Sequence, residues 1–212
     1  MSGDKKTPRE IQDLAAVAEE DRVRADFYEF LAGLLVRPAD TAMLRRLSAL
    51  SGDDTDIGRA IEALAAVARS MSTTTVRREF NDLFIGLGRG ELVPYASFYM
   101  TGFLNEKPLA RLRQDMARHA VARAEAVFEP EDNIASLCEI MSGLIRGRFG
   151  APLPLPAQRE FFATHLAPWA AHFFSDLEAA RASVFYAPVG TLGRLMIEIE
   201  REAFRLGGGT DP

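Results

Sequence analysis

Ile57-Gly-Arg-Ala-Ile61-Glu-Ala-Leu64-Ala-Ala-Val-Ala68-Arg-Ser-Met71 decides the fold class. Its main apolar residues, 57, 61, 64, 68 and 71, step by four, three, four and three, so all lie on one face of an α-helix. The same spacing recurs outward in both directions, and no convincing run of alternating β-branched residues interrupts it. The sequence therefore predicts an all-α fold, a compact bundle of roughly eight to eleven helices.

Upstream, a helix is expected over 10–36, burying Leu14, Val17, Phe27, Phe30, Leu31, Leu34 and Leu35, and it stops because Pro38 disfavours helix at Arg37. Asp40 is placed to cap a short helix carrying Met43, Leu44 and Leu47. Downstream, Ser72 to Thr75 breaks the pattern. Val76, Phe80, Leu83, Phe84 and Leu87 then define a fourth helix, ended by Gly86, Gly88 and Gly90. The state of 94–102 is not settled by periodicity. Pro108 suits the first turn of a helix bearing Leu109, Leu112 and Met116, and Pro130 is expected to begin one bearing Ile134, Leu137, Cys138, Met141, Leu144 and Ile145. After an extended Pro-rich connector at 150–156, helices follow over 157–181, with a break at Pro168, and 189–206, with Leu192, Leu195, Met196 and Ile199 inward. Residues 1–206 are expected to form one helical domain, with a two-lobed arrangement about the connector possible in principle, and 207–212 a flexible tail.

Composition bounds the function. A chain of 212 residues can bury roughly 70% of its unfolded surface without disulfides or metal. One cysteine, Cys138, leaves no internal disulfide and no Cys-rich metal site, which suits a reducing compartment, and its expected role is a small buried side chain. The amino-terminal ten residues are polar and no apolar run approaches a membrane span, so a cytoplasmic protein without stable membrane insertion is expected. A net charge of −5 argues against nonspecific nucleic-acid binding. The charge is uneven: 124–145 holds Glu125, Glu129, Glu131, Asp132 and Glu139 and no base.

Catalytic constellations are thin. The three histidines, His119, His165 and His172, are preceded at three residues by Met116, Phe162 and Trp169, so the Glu-x-x-His spacing of helical di-iron sites is absent. His165 and His172 are expected to pack or hydrogen-bond rather than hold a metal; no metal, cofactor or enzyme activity is expected. Gly86-x-Gly88-x-Gly90 follows a helix rather than a strand and lacks the Lys-Ser/Thr ending of a phosphate loop. A flexible connector is the expected role, with Arg89 and the loop amides the only route to a nucleotide.

Two segments exceed packing needs. Val93-Pro-Tyr95-Ala-Ser97-Phe98-Tyr99 holds three rings and a proline in seven residues, and tyrosines anchor interfaces through rigid area with a polar tip. Phe128-Glu129-Pro130-Glu131-Asp132-Asn133-Ile134 gathers acids at an expected helix start, where the helix dipole favours them, and leaves an acidic patch for a basic partner. Asp132 either satisfies free backbone amides there or points outward, and the outward role is carried forward.

At these residues the sequence resembles the TorD/DmsD family of redox-enzyme maturation chaperones, to which the nitrate reductase chaperones are related. The likeness rests on Arg24-x-x-Phe27-Tyr28-x-x-Leu31-Ala32 leading to Arg37-Pro38, then Glu79-Phe80-x-x-Leu83-Phe84-x-Gly86, Pro94-Tyr95-x-Ser97-x-Tyr99, Glu129-Pro130-x-Asp132-Asn133-Ile134 and His165-Leu166-x-Pro168-Trp169. Asn133 stands where the family signature has His, which removes a titratable group. The resemblance implies a TorD-like, non-enzymatic cytoplasmic chaperone. Its partner would be a molybdoenzyme catalytic subunit precursor, bound at its twin-arginine signal peptide, its body, or both, until the molybdenum cofactor is inserted. Client contacts would fall on Tyr95, Ser97, Tyr99, Glu129, Glu131, Asp132, Asn133 and Trp169, in a monomer or homodimer. Formate dehydrogenase and dimethyl sulfoxide or trimethylamine oxide reductase classes are all open as clients. A general helical adaptor or scaffold, or a nucleotide-binding enzyme, are the alternatives.

Overall fold

A computed structural model describes residues 8–86, 89–122 and 129–206, with the side chains of 8–18 left aside. Leu14 and Val17 as side chains, Leu87, Gly88, Glu125, Phe128, the amino terminus and the tail at 207–212 lie outside the described residues.

The all-helical expectation holds. Among the described residues there are ten α-helices and one π-helical turn: α1 (Pro8–Leu35), α2 (Thr41–Ser48), α3 (Asp56–Ser70), α4 (Thr73–Phe80), the π turn (Asn81–Ile85), α5 (Ala96–Thr101), α6 (Lys107–Arg118), α7 (Ile134–Arg146), α8 (Leu155–His165), α9 (Ala170–Ala179) and α10 (Ala187–Leu206). The only pairing of extended backbone among them is an isolated antiparallel bridge between Tyr95 and Asn133.

Local chemistry explains several starts. Asp40 caps α2 as expected, its carboxylate accepting from Met43 N at 2.8 Å. The interruption at 72–75 is a cap as well: Ser72 Oγ accepts from Thr75 N at 3.1 Å, and the three threonines become the first turn of α4. Pro130 does not begin α7, which starts four residues later under an Asn133 cap.

Helix α7 is the buried axis. Its side chains from Ile134 to Ile145 are buried except for Ser136 and Glu139, and it packs along α1 on one side and α8 on another, while α10 packs on α9 and α3. Each large apolar side chain buried there contributes about 1.5–3 kcal/mol relative to exposure. One apolar cluster runs from Ala25 to Phe204 and draws on both sides of the 150–156 connector. Ile199 departs from expectation, being 49% exposed, because α10 turns that face outward and buries Met196, Ile197 and Glu200 instead.

Among the described residues the buried Glu200 carries a tie across 176 positions. Arg24 Nε and Nη2 donate to its two oxygens at 2.6 and 2.8 Å, Tyr28 adds its hydroxyl at 3.1 Å, and Arg24 Nη1 donates to Gln158 Oε1 at 2.9 Å. The Arg24-x-x-x-Tyr28 part of the first motif is therefore a clamp joining α1, α8 and α10. Planar bidentate pairing makes such a contact directional.

Candidate functional site

The two segments singled out in the sequence lie side by side. Ala96 N donates to Asp132 O and Ile134 N to Pro94 O, both at 2.9 Å, which locks 94–97 against 132–134. Asp132 is 1% exposed, and its Oδ2 accepts from Ser97 N at 2.8 Å. It thus caps α5 from across the chain, where Tyr95 provides no side-chain cap of its own. The expectation that Asp132 points outward from the first turn of α7 is corrected. Ser97, 0% exposed, contributes that amide rather than a surface hydroxyl. Asn133 Oδ1 accepts from Ala135 N at 2.9 Å and caps α7, a role in which a short amide side chain is among the best available.

Tyr95 remains half-buried, and its hydroxyl donates to Glu129 Oε1 at 3.1 Å. Burial first, then the charge of Glu129, pushes that hydroxyl up to about 12. Arg113 reaches Glu131 Oε2 through Nε and Nη2 at 3.1 and 2.9 Å. Tyr99 faces the other way. It packs its ring on Trp169 and Phe173, at 5.3 and 6.0 Å between centroids, and donates to Asp176 Oδ2 at 2.8 Å. Trp169 is core, 1% exposed, with Nε1 donating to His165 O at 2.7 Å, so it supports the site from behind rather than lining it.

Two depressions meet at this place. The first is a cleft of about 180 Å³ between the end of α1 (Leu35, Val36), the α4 and π-turn side chains Phe80, Phe84 and Ile85, and the Tyr95–Asn133 junction. The second is a hollow of about 380 Å³ whose described lining includes Glu129, Glu131, Glu139 and Arg148, with Phe149 and Met116 as apolar residues. Glu129 and Ser136 belong to both. An apolar trough and an acid-walled hollow therefore share one rim. Glu139, on the exposed side of α7, is pushed up from the usual carboxylate range by desolvation, against the pull of Arg148.

The π turn was not legible in the sequence. Its Gly86 N bonds back five residues to Asn81 O at 2.7 Å, and the carbonyls of Asp82 and Leu83 accept from Glu91 N and Leu92 N at 3.0 and 2.8 Å. This brings Glu91 and Leu92 back against the turn. Gly86 sits at φ +60°, and a Cβ on Gly90 would lie 2.5 Å from Leu83 O, so both glycines answer to backbone demands. Arg89 stacks over the Phe98 ring at 5.1 Å. Gly86 and Gly90 thus need no phosphate to explain them.

His165 hydrogen-bonds Asp115 through Nε2 at 2.8 Å between α8 and α6. No group of three or more metal-ligating side chains occurs among the described residues. Cys138 is fully buried in α7, which pushes its thiol well up. No helix of the described residues is long and apolar enough to cross a membrane.

The helical fold is shared with a crystal structure from Archaeoglobus fulgidus assigned as a redox enzyme maturation protein: TM-score 0.54, 20% identity, 82% of this chain and 93% of that one, a likeness of fold. The profile of the nitrate reductase delta subunit family matches residues 50–175, and the chain belongs to that family. Relatives include the chaperone protein TorD of Vibrio cholerae serotype O1 strain M66-2, 28% identical over 196 residues covering 87% of this chain and 83% of that protein. The TorD of Vibrio atlanticus is 25% identical over 190 residues, covering 80% and 88%. The kinship suggested by the motifs is therefore borne out.

Proposed function

We propose that this chain is a non-enzymatic cytoplasmic maturation chaperone that binds the twin-arginine signal peptide of a molybdoenzyme catalytic subunit, and through it holds the precursor until cofactor insertion. The observation that carries the reading is the shared rim of the apolar cleft and the acid-walled hollow. A twin-arginine signal is a basic pair followed by an apolar run, and complementary charge beside an apolar groove suits that order. Family membership and the TorD relatives support the same reading. On this reading Tyr95, Glu129 and Asn133 contact the peptide, Glu131, paired with Arg113, lies in the wall of the hollow, and Ser97, Asp132, Tyr99 and Trp169 hold the rim in place.

Calorimetric titration tests it, using a synthetic peptide with an Arg-Arg pair and an apolar run. Saturable binding that weakens as salt rises, and that drops unequally for Lys-Lys and Ala-Ala versions, is the expected result, since Arg offers carboxylates a planar fork that Lys lacks. Absence of binding, or binding indifferent to both salt and the arginines, overturns the proposal.

A further inference from the structure

The connection between α9 and α10 is held by two carboxylates, one on α4 beside the cleft residue Phe80 and one in the segment after the π turn. Glu79 lies next to the last residue of α4 and is 6% exposed. Its Oε1 accepts from Val184 N at 2.8 Å and Tyr186 N at 2.9 Å, and its Oε2 from Phe185 N at 3.1 Å. Glu91, just past the glycine segment, accepts from Arg181 N at 2.8 Å and Ala182 N at 3.1 Å. One buried carboxylate spanning three consecutive residues is a stringent arrangement, because release leaves a buried charge and three amides without partners.

The same connection backs the cleft. Phe80 and Phe84, which line it, rest on Tyr186 at 6.0 and 5.6 Å between ring centroids. Tyr186 is fully buried, supplies the last of the amides that Glu79 holds, and directly precedes α10. Two local states follow. With the carboxylate seated, Tyr186 supports the aromatic wall; with it released, the wall loses its backing. A ligand pressed on Phe80 and Phe84 gains its full contact only in the seated state, and such differential contact is what a coupled equilibrium requires.

We infer that occupancy of the cleft is coupled through Glu79 to the α9–α10 connection, so that this connection, on the opposite side of the wall, senses whether a peptide is seated. The inference rests on the reading of the cleft as a peptide site. Coupling of this kind is reciprocal: if peptide tightens the connection, loosening the connection weakens the peptide by the same factor.

Amide hydrogen exchange on the full chain tests it, with binding measured by titration on the same samples. A saturating Arg-Arg peptide with an apolar run is expected to slow exchange at Val184, Phe185 and Tyr186 about 5-fold or more, and to leave α2 unchanged. Glu79→Gln turns an NH2 group toward one or more of these amides. It should speed their exchange in the free protein and weaken the peptide by about the factor that the peptide supplies in protection. Should Glu79→Gln not fold, the exposed Glu91→Gln decides: faster exchange at Arg181 and Ala182 with affinity down about 2-fold or more is expected, and unchanged affinity overturns the coupling. Peptide that binds without slowing 184–186 overturns the coupling and leaves the cleft reading standing. No binding at all overturns both.

Discussion

Replacing Asp132 separates a folding role from a recognition role. Its Oδ2 accepts from the buried Ser97 N at 2.8 Å, while its Oδ1 has no hydrogen-bond partner among the described residues. A hydrogen bond to a charged acceptor contributes about 1.5–3 kcal/mol, and removing it leaves a buried amide unsatisfied, so Asp132→Ala should cost about 2 kcal/mol. Unfolding entropy scales to roughly 0.4 kcal/mol/K for a chain of this size, which converts that cost to a melting point lower by about 4–5 °C. Asp132→Asn can keep an acceptor toward Ser97 N and lose only the charge, so about 1 kcal/mol and about 2 °C are expected. Scanning calorimetry reads both variants, and titration with an Arg-Arg peptide should find Asp132→Asn within about 2-fold of the wild type, because a carboxylate this buried has no surface to offer. The reasoning is refuted if Asp132→Asn melts like the wild type while its peptide affinity falls 10-fold or more.

Other consequences are as direct. Glu200→Ala leaves the largely buried Arg24 with Asp21, at 2.6 Å, as its remaining carboxylate partner and should cost about 2–3 kcal/mol by urea denaturation, with much of the loss recovered when Arg24→Met is added. A loss under about 1 kcal/mol for the single variant would contradict the clamp. Burial lowers the basicity of His165 against the opposing pull of Asp115. Below about pH 6.5 the unfolded chain takes up a proton that the folded chain resists, so this contribution to stability is present above that pH and is lost as pH falls. The slope of melting temperature against pH between 5 and 7 should flatten in His165→Gln; a steeper slope contradicts it. Gly90→Ala forces a Cβ to within 2.5 Å of Leu83 O and should destabilise by about 1–3 kcal/mol, whereas a neutral result would show that the return loop yields.

Much of the fold was legible because its cause is local. Spacing of three and four marked α3, Asp40 marked the start of α2, and prolines marked the ends of α1 and α8, and each of these signals acts within a turn of helix. The candidate site was legible in part. The sequence singled out 93–99 and 128–134, and the structure sets their described parts edge to edge through Ala96 and Ile134. It did not disclose the π turn at 81–85, whose extra residue leaves no mark in the apolar pattern, nor the value of Glu79, which sits in a motif beside more conspicuous aromatics.

By itself the sequence determined that the chain is helical, where most helices begin and end, and which family it joins, since these depend on near neighbours and on the order of short motifs. Tertiary structure alone decided which acids go inside. Glu79, Asp132 and Glu200 look in the sequence like any surface carboxylate. Their partners lie 105, 35 and 176 residues away, and only the packed fold brings a guanidinium or a row of amides close enough to compensate the loss of water. For the same reason Trp169 and Ser97 became support and Tyr95 and Glu129 became rim: burial is a property of the whole assembly of helices, and no window of sequence contains it.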